Sequence, residues 1–416
     1  MNDLKQLLHD NVSAPPPDHL DLERVVSRGR SRVRARRTGL VAGVVATVAV
    51  LGTAGAALGG LFDTGPGPAS PARQLAPVGP VLKLSDAVPA VRGTDYEVLD
   101  HHTNVNLDRA NGEYYAGITD DGWVLFQDGP HGIRNTSTYA LYNPETSVQD
   151  SLPDPPIALE RPLDLGRDRL VFLGGRQDPT NLSVVTYDRT THRWSRTVWD
   201  GLPRRDYSYY TAIGPDDRLY VAYAHGTGWR TFDLWSMALD DPGDVRDEHL
   251  VVGDFTIEGD QLTWTATHNE PNDVVRIRDL TTGEESSFDP RSGDRCNQLS
   301  LDRTPRYVVL GTYCGRHDGV RDDRVQVVTT DGSPVVTVRD DGAELAGTTD
   351  GDLVVRSYNQ ELGGTFVLDY ATGRLVRISE ATSRFSMEAP WAGDLFIWDT
   401  PVNGGHGATQ WLGRTR

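Results

Sequence analysis

The stretch TDGDLVVRSYNQELGGTFVLDYATG, residues 349–373, decides the fold. An Asp/Gly turn opens it, and the apolar run 353–355 follows. A second run, 365–369, ends in the turn 369–373, which closes on Thr372 and Gly373. Short runs rich in Val, Leu, Phe and Thr, bounded by such turns, read as antiparallel strands joined by tight reversals. The closing glycine suits a turn whose last residue is left-handed.

The same pattern recurs on both sides. The first run has counterparts at WVLF (123–126), LVFL (170–173), LYVA (219–222), LTW (262–264), YVVL (307–310) and LFI (395–397). Their first residues, with Leu353 in its place, are spaced by 47, 49, 43, 45, 46 and 42. The second run has counterparts at 182–188, 274–279 and 325–328, with hairpin turns at 188–191 and 279–283. Seven units of about 48 residues each match the size of a four-stranded blade. On these repeats residues 81–416 resemble the WD-repeat-like and kelch-like seven-bladed β-propellers, in architecture and without their consensus signatures. The expected fold is therefore all-β, a seven-bladed β-propeller. The last unit is short of its outermost strand, and a strand from about residue 80 to about 91 is expected to complete it and lock the ring.

Residues 38–62 form a run of 25 uncharged residues. As a helix this is about 37 Å long, enough to cross a bilayer core of about 30 Å. Seven arginines lie between Arg24 and Arg37, including Arg28, Arg30, Arg32, Arg34, Arg36 and Arg37, and Asp63 follows the run. The positive-inside rule then places residues 1–37 in the cytoplasm and the C-terminal bulk outside, with 38–62 an uncleaved signal-anchor in a bacterial plasma membrane. Residues 63–80, with five prolines and three glycines, read as a semi-extended linker. The arginines are also suited to anionic membrane lipid. Gly39-x-x-x-Gly43 and Gly55-x-x-x-Gly59 fit a weak helix-mediated dimer.

Within residues 1–37 a leucine-bearing helix near 2–12, a Pro15–Pro17 break and a second, arginine-rich helix are expected. This opening looks like that of many actinobacterial membrane proteins, some of them associated with extracytoplasmic-function sigma factors. The resemblance implies a cytoplasmic sigma factor as a partner of the tail. The His-x-x-x-Cys-x-x-Cys signature of zinc-binding anti-sigma domains is missing.

The net charge of −18 divides unevenly: residues 1–37 carry +3, leaving −21 for residues 38–416. So acidic an outer domain repels phosphates, which excludes nucleic acid as its ligand. Its two cysteines, Cys296 and Cys314, read as one disulfide in an exported domain, flanking the fifth recurrent strand.

No nucleophile elbow, H-E-x-x-H, P-loop or dinucleotide fingerprint occurs, and no motif implies a cofactor or metal. The pair His101–His102 points to opposite faces of a strand and is not expected to share a metal. His131, His225, His268, His317 and His406 each fall shortly after the recurrent strand, so in a propeller they share one rim and form a candidate, pH-sensitive binding face. The main functional expectation is a membrane-anchored, non-catalytic binding or sensing module for an extracytoplasmic ligand or protein. The alternative is an exported propeller hydrolase or lyase with its site at the central channel.

Overall fold

The structure, a computed structural model, describes residues 79–416 apart from 107–112, 129–137, 175–181, 200, 204–206, 227–228, 272–273, 294, 360 and 383–390. The expected tail, the apolar span and nearly all of the linker lie outside these residues, as does His131. Among the described residues no helix is long and apolar enough to cross a membrane.

Seven antiparallel sheets make a seven-bladed propeller. The innermost strands, in blade order, are Tyr114–Ile118, Leu159–Leu165, Tyr207–Gly214, Phe255–Glu258, Asn297–Arg303, Ala343–Thr348 and Trp391–Ala392. In each blade the recurrent apolar run is the second strand, as in Arg169–Gly174 and Arg218–Ala224. Those second strands are buried almost end to end. A blade is packed between two neighbours, so its middle strands have no solvent face and need no polar alternation. Apolar cores accordingly fill the spaces between blades, for example Phe172 and Tyr187 between blades 1 and 2, and Leu234 and Trp264 between blades 3 and 4. The outermost strand of blade 1, Val148–Ser151, is exposed along its length.

The predicted turns between third and fourth strands are Asx turns. Asp188 Oδ1 accepts the N–H groups of Thr190 and Thr191 at 2.9 and 2.8 Å, and Asp279 Oδ1 those of Thr281 and Thr282 at 2.9 and 2.7 Å. Asp369 does the same for Ala371 and Thr372. Gly283 and Gly373 are left-handed, with φ of 76° and 66°. The carboxylate thus substitutes for a backbone acceptor and fixes the reversal.

Ring closure differs from the sequence expectation. The strand completing blade 7 is Tyr96–Asn104, antiparallel to Gly407–Thr415. Residues 81–89 instead form a strap on the rim. Val81–Lys83 pairs parallel with the outer strand Pro334–Asp340 of blade 5, and Val88–Pro89 with Arg374–Arg377 of blade 6. Between them Leu84 drops into the core shared by those blades, beside Val338 and Phe366, and is 2% exposed. The outer edges of blades 5 and 6 are open to a further strand, whereas the partner edge in blade 7 is reached only after the chain has crossed both. The disulfide Cys296–Cys314 is formed: Asn297 pairs with Tyr313, which sets the preceding and following cysteines opposite each other, Cα to Cα 3.9 Å.

Candidate functional site

The inner strands all run in one direction around the axis, so the channel has two chemically distinct mouths. One holds the N-terminal ends of the inner strands and the connections from second to third strands. The other holds the C-terminal ends of the inner strands. Bulges interrupt the pairing of the inner strand with its neighbour in blades 1, 2, 3, 5 and 6. Bulges re-aim side chains at sheet rims, which suits residues that must face a channel.

At the first mouth, blades 3, 4 and 5 converge on a buried network. Asp254 stands immediately before the inner strand Phe255–Glu258 and is 0% exposed. Its Oδ1 lies 2.7 Å from Nδ1 of His268, and Gln298 Nε2 donates to its Oδ2 at 3.3 Å. The Tyr210 hydroxyl lies 3.2 Å from the same His268 nitrogen and also bonds the Asp254 carboxylate. The bond to Asp254 holds the His268 imidazolium above the ordinary histidine range, against the opposing effect of burial. Burial, then the nearby Asp254 charge, keeps the Tyr210 phenol protonated.

With Nδ1 committed to Asp254, Nε2 is the ring nitrogen outside the dyad, and 27% of the His268 side chain reaches solvent. A partly exposed imidazole oriented by a buried carboxylate is the arrangement general acid–base chemistry requires. The backbone is built for it. The His268 N–H donates to Arg230 O at 2.7 Å, and Gly253 N–H to Thr265 O at 2.7 Å. A Cβ on Gly253 would lie 2.1 Å from the Thr267 carbonyl carbon and 2.3 Å from His268 N. Only glycine lets the two segments cross so closely.

The other histidines are less integrated. His225 Nδ1 lies 2.6 Å from Asp233 Oδ1 but is largely exposed, and His317 Nε2 is 3.8 Å from Asp322. His406 lies on an exposed turn of blade 7. The four described members of the predicted face lie at this mouth, and His268 is set apart by its close bond to a carboxylate with no exposed surface; Asp322 near His317 is buried too but is engaged by Arg324 and Arg339. His101 stacks on Trp411 at 5.1 Å and His102 meets Phe126 at 5.0 Å, on opposite faces of their strand as expected.

The second mouth is acidic. Asp120, Asp164, Glu258 and Asp302, from blades 1, 2, 4 and 5, ring the C-terminal ends of the inner strands. Burial, reinforced by carboxylate neighbours, raises all four, and pushes Asp302 up to about 6. Arg169 and Arg303 temper the repulsion at Asp164 and Glu258. Neither this ring nor Asp254 and Tyr210 is legible in the sequence, because each residue looks like an ordinary turn or strand residue until seven blades are closed around one axis. Among the described residues no group of three or more His, Cys, Asp or Glu is placed to hold a metal ion.

No family model matches the chain, and no curated protein matches it. Its fold is similar to solved structures. An oligogalacturonate lyase in complex with manganese superposes with a TM-score of 0.51 at 12% identity, covering 79% of this chain and 98% of that one. An oligogalacturonate lyase from Vibrio parahaemolyticus gives 0.50 at 12% identity, covering 77% and 98%. A prolyl endopeptidase gives 0.44 at 16% identity, covering 76% of this chain and 46% of that one, so the chain spans less than half of that protein's length. These likenesses show the propeller fold. Two of them are lyases, so the expectation that such a ring is non-catalytic is corrected to this extent: the same fold carries enzymes.

Proposed function

We propose that residues 79–416 are an exported propeller enzyme, a hydrolase or lyase, whose acid–base residue is His268 at the channel mouth. The observation that carries this reading is the dyad of His268 with the fully buried Asp254. In this reading Asp254 orients the ring and favours its protonated form. Nε2 delivers a proton to a leaving group, or accepts one in the reverse sense. Tyr210 and Gln298 hold the carboxylate in place. A positioned histidine of this kind contributes about 10²–10⁴ in rate. The whole-length matches to lyases support the class of the reading and do not choose its substrate.

The remaining parts of the reading concern location and partners. Residues 38–62 anchor the enzyme in the plasma membrane with Arg28–Arg37 on the cytoplasmic side, in contact with anionic lipid. The Cys296–Cys314 disulfide supports export to an oxidising compartment. The tail recruits a cytoplasmic partner of the sigma-factor kind. Crosslinking from native membranes with and without residues 1–37 tests this last point, and loss of no cytoplasmic partner on deletion refutes it.

The catalytic reading is tested with full-length protein on chromogenic esters, glycosides, uronic-acid oligosaccharides and proline-containing peptides. Turnover of one class, reduced at least about 100-fold by His268→Ala, is expected. Turnover indifferent to that substitution, or none on any of the four classes, refutes it.

A further inference from the structure

A cavity of about 300 Å³ opens between the inner strands of blades 5 and 6, at the same mouth as His268. Its lining includes Leu299, Ser300, Thr312, Asp323, Glu344 and Tyr358. One strand serves both places. Gln298 sends its amide to Asp254, and the bulge that follows turns Leu299 and Ser300 to the cavity. The Ser300 hydroxyl occupies the space a Cβ on Gly311 would fill, so the wall closes behind it only because residue 311 is glycine.

The lining combines two properties. First, Leu299 and Tyr358 are 39% and 49% exposed, an apolar and an aromatic surface left open in a strongly acidic domain. Second, the cation in the wall is already paired. Arg321 donates twice to Asp323, both at 2.9 Å, and lies 4.5 Å over the Tyr313 ring. Asp323 also accepts the Gly342 N–H at 2.8 Å. Glu344 stands opposite Arg356 in the strand register; burial raises its carboxyl, the Arg356 charge opposes that rise and Asp323 adds to it. The cation of the wall is thus committed to Asp323, and what it leaves open to a ligand is the Glu344 carboxyl, hydroxyls and the apolar pair.

We propose that this cavity binds a neutral sugar, with the apolar face of a pyranose ring on Tyr358 and Leu299 and its hydroxyls on Glu344, Ser300 and Thr312. The volume is at the small end of ligand pockets and suits one or two rings. An aromatic with an apolar body and a polar tip is suited to such a ligand. An anionic ligand would have to take Arg321 from Asp323 and leave that carboxylate unpaired. The inference deepens the enzyme reading by naming a substrate class, and rests on it only in calling the sugar a substrate.

Saturation-transfer NMR on the full-length protein, in a detergent without a sugar headgroup, tests it. The probes are glucose, galactose and cellobiose, with galacturonate and arginine as charged comparisons. At least one neutral sugar should bind, about tenfold more weakly to Tyr358→Ala and normally to Tyr358→Phe. His268→Ala should bind it as the wild type does. If binding follows Tyr358 while turnover ignores His268, the sugar site stands and the catalytic assignment falls. Binding of the charged probes alone, neutral-sugar binding indifferent to Tyr358→Ala, or no binding of any neutral sugar overturns the proposal. Circular dichroism of each variant confirms that the exposed position has been changed in a folded protein.

Discussion

Replacing Asp254 with asparagine removes one charge from a position with no solvent of its own and keeps the shape. The wild-type carboxylate receives His268 at 2.7 Å and Gln298 at 3.3 Å. A hydrogen bond to a charged partner contributes about 1.5–3 kcal/mol, a neutral one about 1 kcal/mol. Asp254→Asn should therefore cost about 2 kcal/mol when His268 is protonated, which in a domain of this size lowers Tm by about 3 °C. The sign with pH follows from the direction of the shift. The folded state raises the His268 pKa, so the stabilisation is fully present below the ordinary histidine value and is lost as pH rises through the folded one. The gap in Tm between wild type and variant should be widest near about pH 5.5 and narrow toward about pH 8. Scanning calorimetry across that range reads the gap, and imidazole NMR reads the titration, which should move down in the variant. An unchanged His268 titration, or a gap constant with pH, would show that Asp254 does not hold the ring as argued.

Further expectations test the frame around the site. Gly253→Ala should force the 267–268 segment away and depress turnover more than stability, read as kcat against Tm. Leu84→Ala should cost about 3 kcal/mol by opening a hole between blades 5 and 6, measured by denaturant titration. Asp302→Asn should stabilise the protein near neutrality. Its carboxyl titrates at about 6 when folded, so the wild type bears the cost of the buried charge above that pH, and the gain should fade as pH falls toward the unfolded value of about 4. Serine at both Cys296 and Cys314 should cost about 3 kcal/mol, a difference that disappears when the wild type is compared under reducing conditions.

The blades were legible because their physics is local. A run such as 170–173 must be apolar throughout when both faces of its sheet are covered, and Asp188, Asp279 and Asp369 announce their turns through their own side chains. The strap was not legible as such. Val81–Lys83 and Val88–Pro89 are three and two residues long, and nothing in so short a pattern says which edge it joins. His268 was visible as one of five rim histidines, but its partner was not. Asp254 is 14 residues away and Gln298 a further 30 along the chain, and only the closed ring brings them together. The same holds for the acidic mouth, whose members come from four blades.

The strap also sets the order in which a pull on the N-terminal side would be felt. Chain arriving from the linker meets Val81–Lys83 first, then the Leu84 plug, then Val88–Pro89, and only then Tyr96–Asn104, the strand that closes the ring. Tension applied on that side is therefore taken up in series by two sacrificial pairings and a buried side chain before it reaches the closure. A tug that strips the rim leaves the seven blades and the channel intact, and the strap can re-anneal once the load is gone.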